Sequence, residues 1–413
     1  MEEALTALTR FVLDHGDDDT ARLLLSRSKW PDIDMDLAVS TIESRRRLRS
    51  KLPTWYALPT LLYPSPLSAE QSSGEPTARH KAALAASIPS EPTWAPAPLP
   101  NLRVADLTGG MGVDSWAFAE VAEEVLYNEM NESLVEAARH NFREIGVENV
   151  RFSCREVVPG SIAEILGDFK PDVVFLDPAR RGTGGGKVFR LEDCSPNVLP
   201  LMPELLDVCP HVLLKLSPMA DITLVAKQLP GVREVHLIEA TGECKELLLH
   251  IHRGWTGGYT ITATVLTAPT EFTFTPQEEA EAVATFATPL PGQQLFEPGK
   301  ALMKSGAFKL ISSRFHLGKL APSTHLYVAD TIPEELAPLG RVFTITHVLP
   351  FGKTGFRECL RLLPDGRAEV SSHNIPLTSD DLRRKINCTC GGSTHIFAAS
   401  TLSTRHLILA TRH

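Results

Sequence analysis

The segment Val104–Gly112, VADLTGGMG, decides how the middle of this chain is built. It is a short apolar run that closes on Asp106, followed by glycines at Gly109, Gly110 and Gly112 and then by residues that continue as a helix. Glycine admits backbone conformations and close approaches that a side chain forbids, so a strand, turn and helix of this composition form a pocket for a nucleotide-like ligand. A dinucleotide fingerprint requires G-x-G-x-x-G, and Ser115 stands where the last glycine belongs, which argues against a nicotinamide or flavin ligand.

The partners such a pocket needs follow in order. A helix is expected from Val113 to about Ala122, then the strand VLYNE ending at Glu129, whose carboxylate can accept hydrogen bonds from both hydroxyls of a ribose. Met130 beside it suits either the face of an adenine or the core. A second helix, Asn131 to Ile145, leads to the strand VRFSC, after which Glu156 occupies the place for adenine recognition. The run PDVVFLDPARR reads as a buried fourth strand, Val173 to Leu176, opening into Asp177-Pro178-Ala179-Arg180. Ligands of open α/β sheets bind at the carboxyl ends of strands, so this tetrapeptide and the glycine turn are expected to face one cleft. A glycine-rich loop with Arg180, Arg181, Lys187 and Arg190 suits an anionic substrate, and the fifth strand, VLLKLSP, carries Lys215. The strands VREVHLIEA, KELLLHIHR and YTITATV complete the sheet as antiparallel additions.

The acid and glycine turn resemble motif I of class I S-adenosylmethionine-dependent methyltransferases, and DPAR resembles motif IV of those that methylate amines, usually Asn or Asp, Pro, Pro, aromatic. The resemblance implies that Asp106, Gly109, Gly110 and Gly112 shape the methionine pocket and Glu129 holds ribose. It implies that Asp177 and the Pro178 carbonyl align an attacking nitrogen, with Arg180, Arg181 and Lys215 as substrate contacts. Ala179 and Arg180 depart from the pattern, replacing the second proline and the ring.

At 413 residues the chain exceeds one ordinary core, so two to four domains are expected. No apolar run approaches a membrane span, the start MEEALTALTR lacks signal-peptide design, and seven cysteines show no framework spacing. A cytoplasmic protein is therefore expected. Cys388 and Cys390 have no second pair at zinc spacing and the 14 histidines no paired motif, so no metal is expected. The net charge of −9 hides an asymmetry, because from Lys300 onward 15 Lys and Arg stand against 8 Asp and Glu. A basic terminal module on an acidic enzyme suits RNA.

Residues 1 to about 60 show helical periodicity in ALTALTRFVL and ARLLLSR, and contain the basic cluster Arg45 to Lys51, open to phosphate contact or to solvation as a helix end. A helix is expected from near Thr77, and five prolines between Ser87 and Pro100 form a linker or strap. After Val265, PQEEAEAVATFA reads as helix, and THLYVAD, RVFTITHVL, ECLRLL and HLILATR as short strands; SDDLRRKI reads as a helix capped by its serine. Such interleaving suggests ferredoxin-like modules.

Taken with KLPTWY, LSAEQSSGEPTARHKA, DLTGGMGVDS, FLDPARR, FRLEDCSPNV, LLKLSP, GECKELL, SSHNIPLTSDDLRRKI and GGSTHIFAASTL, the chain resembles the bacterial class I methyltransferases with a THUMP-like carboxyl-terminal domain, a group typical of Bacteroidetes. The core also resembles trimethylguanosine synthases. The implied fold is α/β, a Rossmann-like seven-stranded methyltransferase sheet with a helical amino-terminal region and small α+β carboxyl-terminal domains. The implied divisions are residues 1–100, 101–267, 268–325 (ferredoxin-like) and 326–413 (THUMP-like). The implied cofactor is S-adenosylmethionine and the implied substrate RNA, ribosomal or transfer. His373 before Asn374-Ile375-Pro376, and NCTC after it, depart from relatives. Methylation of a small molecule or protein, or a non-catalytic protein that binds cofactor and RNA, are the alternatives.

Overall fold

A computed structural model of the chain describes residues 2–88, 101–180, 190–268 and 270–412. The proline strap and the glycine loop with Arg181 and Lys187 lie outside the described residues. The chain divides into two units, residues 1–233 with 248–257, and 234–247 with 258–413.

The first unit opens with helices α1 (Glu2–Asp14), α2 (Thr20–Leu25), α3 (Met35–Leu48), α4 (Pro53–Tyr56), α5 (Pro66–Gln71) and α6 (Glu75–Ser87). Asp19 and Asp34 cap α2 and α3 by accepting backbone N–H groups that a helix start leaves unpaired. Leu8, Phe11 and Val12 of α1 pack on Ala38, Val39 and Ile42 of α3. Four cations of the basic cluster in this region bind backbone carbonyls, although Arg46 and Arg47, like Arg49, remain exposed. Arg45 donates to the carbonyls of Tyr56 and Leu58, Arg46 to those of Gly16 and Asp18, Arg47 to Pro66, and Lys51 to Ala69 and Glu70. These cations therefore hold the short helices α4 and α5, and the turn after α1, onto α3.

Strands β1 (Arg103–Asp106), β2 (Glu124–Asn128), β3 (Val150–Ser153) and β4 (Val173–Leu176) alternate with α7 (Val113–Ala119), α8 (Glu132–Ile145) and α9 (Ile162–Leu166). A two-strand ribbon, β5 (Ala179–Arg180) with β6 (Cys194–Ser195), precedes α10 (Val198–Val208), β7 (His211–Leu216) and α11 (Ile222–Gln228). The parallel strands run β3–β2–β1–β4–β7, with the end of β9 beside β7. All four residues of β4 and all six of β7 are buried, as the near-continuous apolar reading requires for strands covered on both faces.

Strands β8 (Val232–Ala240) and β9 (Glu243–His252), joined through Thr241 and Gly242 at positive φ, are shared between the units. The hydrogen-bonded sheet that contains these strands has nine members, not the expected seven. In the second unit the order is β9–β8–β10–β11, from β10 (Thr260–Val265) and β11 (Thr270–Phe274). Strand β10 pairs parallel with β8, which corrects the expectation of antiparallel addition; only its pairing with β11 is antiparallel.

The second unit continues through α12 (Pro276–Glu281), β12 (Thr285–Phe286), β13 (Gln294–Pro298), α13 (Lys300–Ser305), α14 (Phe308–Arg314), β14 (Gly318–Ala321) and β15 (Thr324–Ala329). It ends with β16 (Gly340–Pro350), α15 (Lys353–Leu362), β17 (Glu369–His373), α16 (Ser379–Ile386), β18 (Thr394–Ser400) and β19 (Arg405–Arg412). Eight of these strands form one sheet, β12–β14–β15–β13–β16–β19–β18–β17. The helix expected over PQEEAEAVATFA stops at Glu281, because Thr285 and Phe286 pair with β14 and that pairing outweighs helical propensity. ECLRLL is helix, not strand. Phe356, Cys359, Leu360 and Leu363 all pack into the cluster beneath α15, which is the spacing of a helix face. The cap of α16 is Thr378, which exchanges hydrogen bonds with Asp381, so Ser379 begins the helix itself. Among the described residues no helix is long and apolar enough to cross a membrane.

Candidate active site

Asp106 ends β1 fully buried, and its two oxygens accept from Ser115 Oγ at 2.5 Å and from the Thr108 N–H at 3.1 Å. The acid is thus the internal support of the glycine turn. Burial pushes its carboxyl up to about 8, against the hydrogen bond from Ser115. A carboxyl near 8 when folded and near 4 when unfolded keeps a proton that the unfolded chain has released. Its contribution to stability therefore falls as pH rises from about 4 to about 8 and is constant above. Asp106→Asn, which cannot ionise, is expected to gain on the wild type across that window in denaturant unfolding; a pH-independent difference would contradict it.

Gly109 donates its N–H to the Asn128 carbonyl at 2.8 Å, and a Cβ there would lie 2.2 Å from the Tyr127 ring. Gly110 (φ +54°) and Gly112 (φ +89°) are left-handed, and a Cβ on Gly112 would meet Phe142 at 2.9 Å. Among the described residues nothing lies within 4 Å of a Cβ built on Gly110, so with respect to them the turn is closed against β2 and α8 and open at Gly110. Gly109→Ala is expected to displace the Tyr127 ring, destabilise the fold by about 1–3 kcal/mol and lower cofactor affinity. Calorimetric titration with the cofactor checks it, and unchanged affinity would show that the turn does not carry the pocket.

Glu129 lies one residue beyond β2, half-buried, with Oε2 accepting from the Gly110 N–H at 3.1 Å and Oε1 from the Asn131 N–H at 2.9 Å. Each oxygen keeps a further lone pair, as two ribose hydroxyls require. Met130 beside it is 63% exposed, and Glu156 is exposed beyond β3. An acid fixed by the turn, an open face at Gly110 and an apolar side chain at the rim fit a nucleoside-bearing cofactor. Asn128 Oδ1 is buried without a partner among the described residues, its amide donating to the carbonyls of Leu107 and Arg155.

Asp177 follows β4, and its N–H donates to Thr108 Oγ1 at 2.6 Å, tying the fourth strand's end to the glycine turn. Its Oδ2 accepts from Lys215 Nζ at 2.5 Å, a lysine only 9% exposed within β7. Burial raises the Asp177 carboxyl, with Lys215 opposing it and Asp114 adding to it. Pro178 is buried, and Arg180 ends the β5 ribbon.

Beneath these groups lies a set of charges to which sequence reasoning assigned no role. Lys81 of α6, with no exposed surface, places Nζ 3.0 Å from Asp114 Oδ1 and donates to Ser73 Oγ at 2.8 Å; Ser73 in turn donates to Asp114 Oδ2. Asp114 is the second residue of α7, one residue before Ser115. The signal was the run SSGEPTARHKA, whose serine and lysine belong to the site although the run precedes the first strand.

Two family descriptions match the chain, a ferredoxin-like domain at residues 295–336 and a THUMP domain-like region at residues 340–412. A crystal structure of a candidate methyltransferase from Porphyromonas gingivalis W83 is similar over 100% of this chain and 98% of that one, at 31% identity and a TM-score of 0.85. An uncharacterised RNA methyltransferase of Gloeobacter violaceus is 28% identical over 141 residues, 34% of this chain; the match spans 25% of that protein's length. A candidate methyltransferase of Streptococcus mutans, solved with S-adenosylhomocysteine, shares 13% identity over 37% of this chain and 89% of its own, with a TM-score of 0.28.

Proposed function

This chain belongs to the class I S-adenosylmethionine-dependent methyltransferases that carry a THUMP-like carboxyl-terminal domain, and from that premise we propose that it methylates a base nitrogen in RNA, ribosomal or transfer. The observation that carries the proposal is Asp177, held by Thr108 and Lys215 with its second oxygen, Oδ1, unpartnered among the described residues. The Gloeobacter relative's name and the THUMP domain-like match support RNA as the substrate class.

S-adenosylmethionine supplies an electrophilic methyl group on a sulfonium. Glu129 would hold its ribose, Met130 and Glu156 would line the adenine side, and Gly109, Gly110 and Gly112, supported by Asp106, would shape the methionine end. Asp177 Oδ1 and the Pro178 carbonyl accept the N–H groups of the attacking amine and direct its lone pair, so catalysis is chiefly positioning. The amine loses its proton after transfer, and no strong base is required. Lys215 reaches substrate through Asp177, while Arg180 and Arg181 contact the RNA. Residues 1–100 and 101–267 form the catalytic part, and residues 268–325 and 326–413 the substrate modules, in a cytoplasmic enzyme.

Labelled S-adenosylmethionine incubated with RNA and protein fractions from cells lacking this protein tests the reading. Label in RNA is expected, and nucleoside digestion then names the base. Label confined to protein or small molecules, or none despite bound cofactor, would overturn it.

A further inference from the structure

The positive charge of the carboxyl-terminal region is not spread evenly over its surface. In α16, Arg383 pairs with Asp380 and Arg384 with Asp381, each three residues away, so most of that helix's charge is cancelled locally. Helix α15 is different. Lys353, Arg357 and Arg361 follow one another at four-residue intervals, all exposed, and none has a carboxylate partner among the described residues. Side chains four apart stand one above another, with Cβ atoms roughly 5–6 Å apart. The three cations therefore form a row along one face. The adjoining face, with Phe356, Cys359, Leu360 and Leu363, is packed into the core, and the three cations stand exposed beside it. Glu358, three residues before Arg361, makes no ion pair with it. Arg405 at the start of β19 extends the feature, since its carbonyl accepts the Phe351 N–H at 3.1 Å just ahead of α15, and its exposed side chain has no carboxylate partner among the described residues.

A file of like charges at this spacing repels itself unless an anion of matching repeat lies along it. A nucleic-acid backbone is such an anion, with phosphates at regular intervals, and guanidinium groups suit phosphate by their paired donors. We infer that the exposed face of α15, Lys353, Arg357 and Arg361 with Arg405 beside it, is a docking surface for the phosphate backbone of the RNA substrate. The inference rests on the reading of RNA as substrate and goes beyond it by naming the surface that binds.

The test compares the full-length protein with Lys353→Gln/Arg357→Gln/Arg361→Gln and with Arg384→Gln, a control that removes a paired cation from α16. Binding of total RNA from cells lacking the protein is measured across a salt series, with methyl transfer to the same RNA and cofactor affinity measured in parallel. The three row residues are solvent-facing, so an unchanged melting temperature is expected. Each phosphate contact contributes about 0.7–0.9 to the slope of log affinity against log salt. The triple variant is expected to lose about 2–3 from that slope and at least about tenfold in affinity near 0.1 M salt. Its KM for RNA should rise with cofactor affinity unchanged, while the control matches the wild type. A triple variant with wild-type slope, or a control that loses as much per charge, would overturn the surface and leave the RNA reading intact if the wild type still methylates RNA. Wild-type protein that binds RNA through the row yet transfers no methyl to it would overturn the reading and leave the surface.

Discussion

Asp177→Ala is expected to reduce methyl transfer by about 10²-fold or more while cofactor affinity stays near that of the wild type. The reason is geometric. Asp177 sits at the end of β4 with its N–H on Thr108 Oγ1, and under the proposed mechanism its carboxylate faces the substrate, whereas no glycine of the turn packs against it. Removing it has a second consequence, because Lys215 Nζ loses the carboxylate it holds at 2.5 Å in a nearly buried place. Uncompensated charge of that kind is costly, and part of any loss in the alanine variant would be structural. Asp177→Asn separates the two effects. The amide keeps an oxygen acceptor for the attacking amine and, among class I enzymes that methylate amines, resembles the alternative residue of motif IV. It is expected to retain measurable transfer, and pairing it with Lys215→Met should restore stability without restoring full rate. Single-turnover transfer and calorimetric cofactor binding on the same preparations decide the matter. If alanine and asparagine variants lose cofactor binding together with transfer, Asp177 supports the fold and does not orient substrate.

The parts of this site that could be read in advance are those whose meaning is local. Asp106 and the three glycines form a turn within seven residues, and the strand order that brings Glu129 and Asp177 to the same edge follows from alternating strands and helices. What could not be read is pairing across distance. Nothing near Lys215 in sequence says that its ammonium will meet a carboxylate 38 residues earlier, and nothing near Arg45 says that its guanidinium will be consumed by the carbonyls of Tyr56 and Leu58. The density of positive charge there pointed to solvent or phosphate; the structure places the Arg45 and Lys51 side chains on backbone carbonyls and leaves Arg46, Arg47 and Arg49 exposed. ECLRLL failed for another reason. Over six residues its apolar positions fit either period, and only Phe356 two residues before it makes the helical repeat visible.

Lys81→Met is the most consequential change outside the cofactor and substrate positions. Lys81 has no exposed surface, yet its ammonium is satisfied by Asp114 Oδ1 at 3.0 Å and Ser73 Oγ at 2.8 Å. Removing one partner of a buried ion pair strands the other, a loss of about 3–5 kcal/mol, and here the stranded group is Asp114 on α7. Asp114 raises the Asp177 carboxyl and Lys81 lowers it, so taking the lysine away leaves the raising charge unopposed. Asp177 acts as an acceptor when ionised, and its carboxyl lies above the ordinary range. The acid limb of the rate–pH profile should therefore move to higher pH in Lys81→Met, with rate lost first under mildly acidic conditions. The groups bearing on Asp177 in this comparison are Lys215, Asp114, Lys81 and, through Asp106, the turn itself; only one of them is altered. Lys81→Met/Asp114→Asn removes both charges, and it should recover most of the stability and bring the acid limb back toward the wild-type position. A purely structural role for Lys81 would lower the melting temperature and leave the profile unmoved. If the profile does move, and moves back in the double variant, α6 belongs to the active site as the source of a positioning charge, which explains why a segment ahead of the first strand carries a buried serine and a buried lysine.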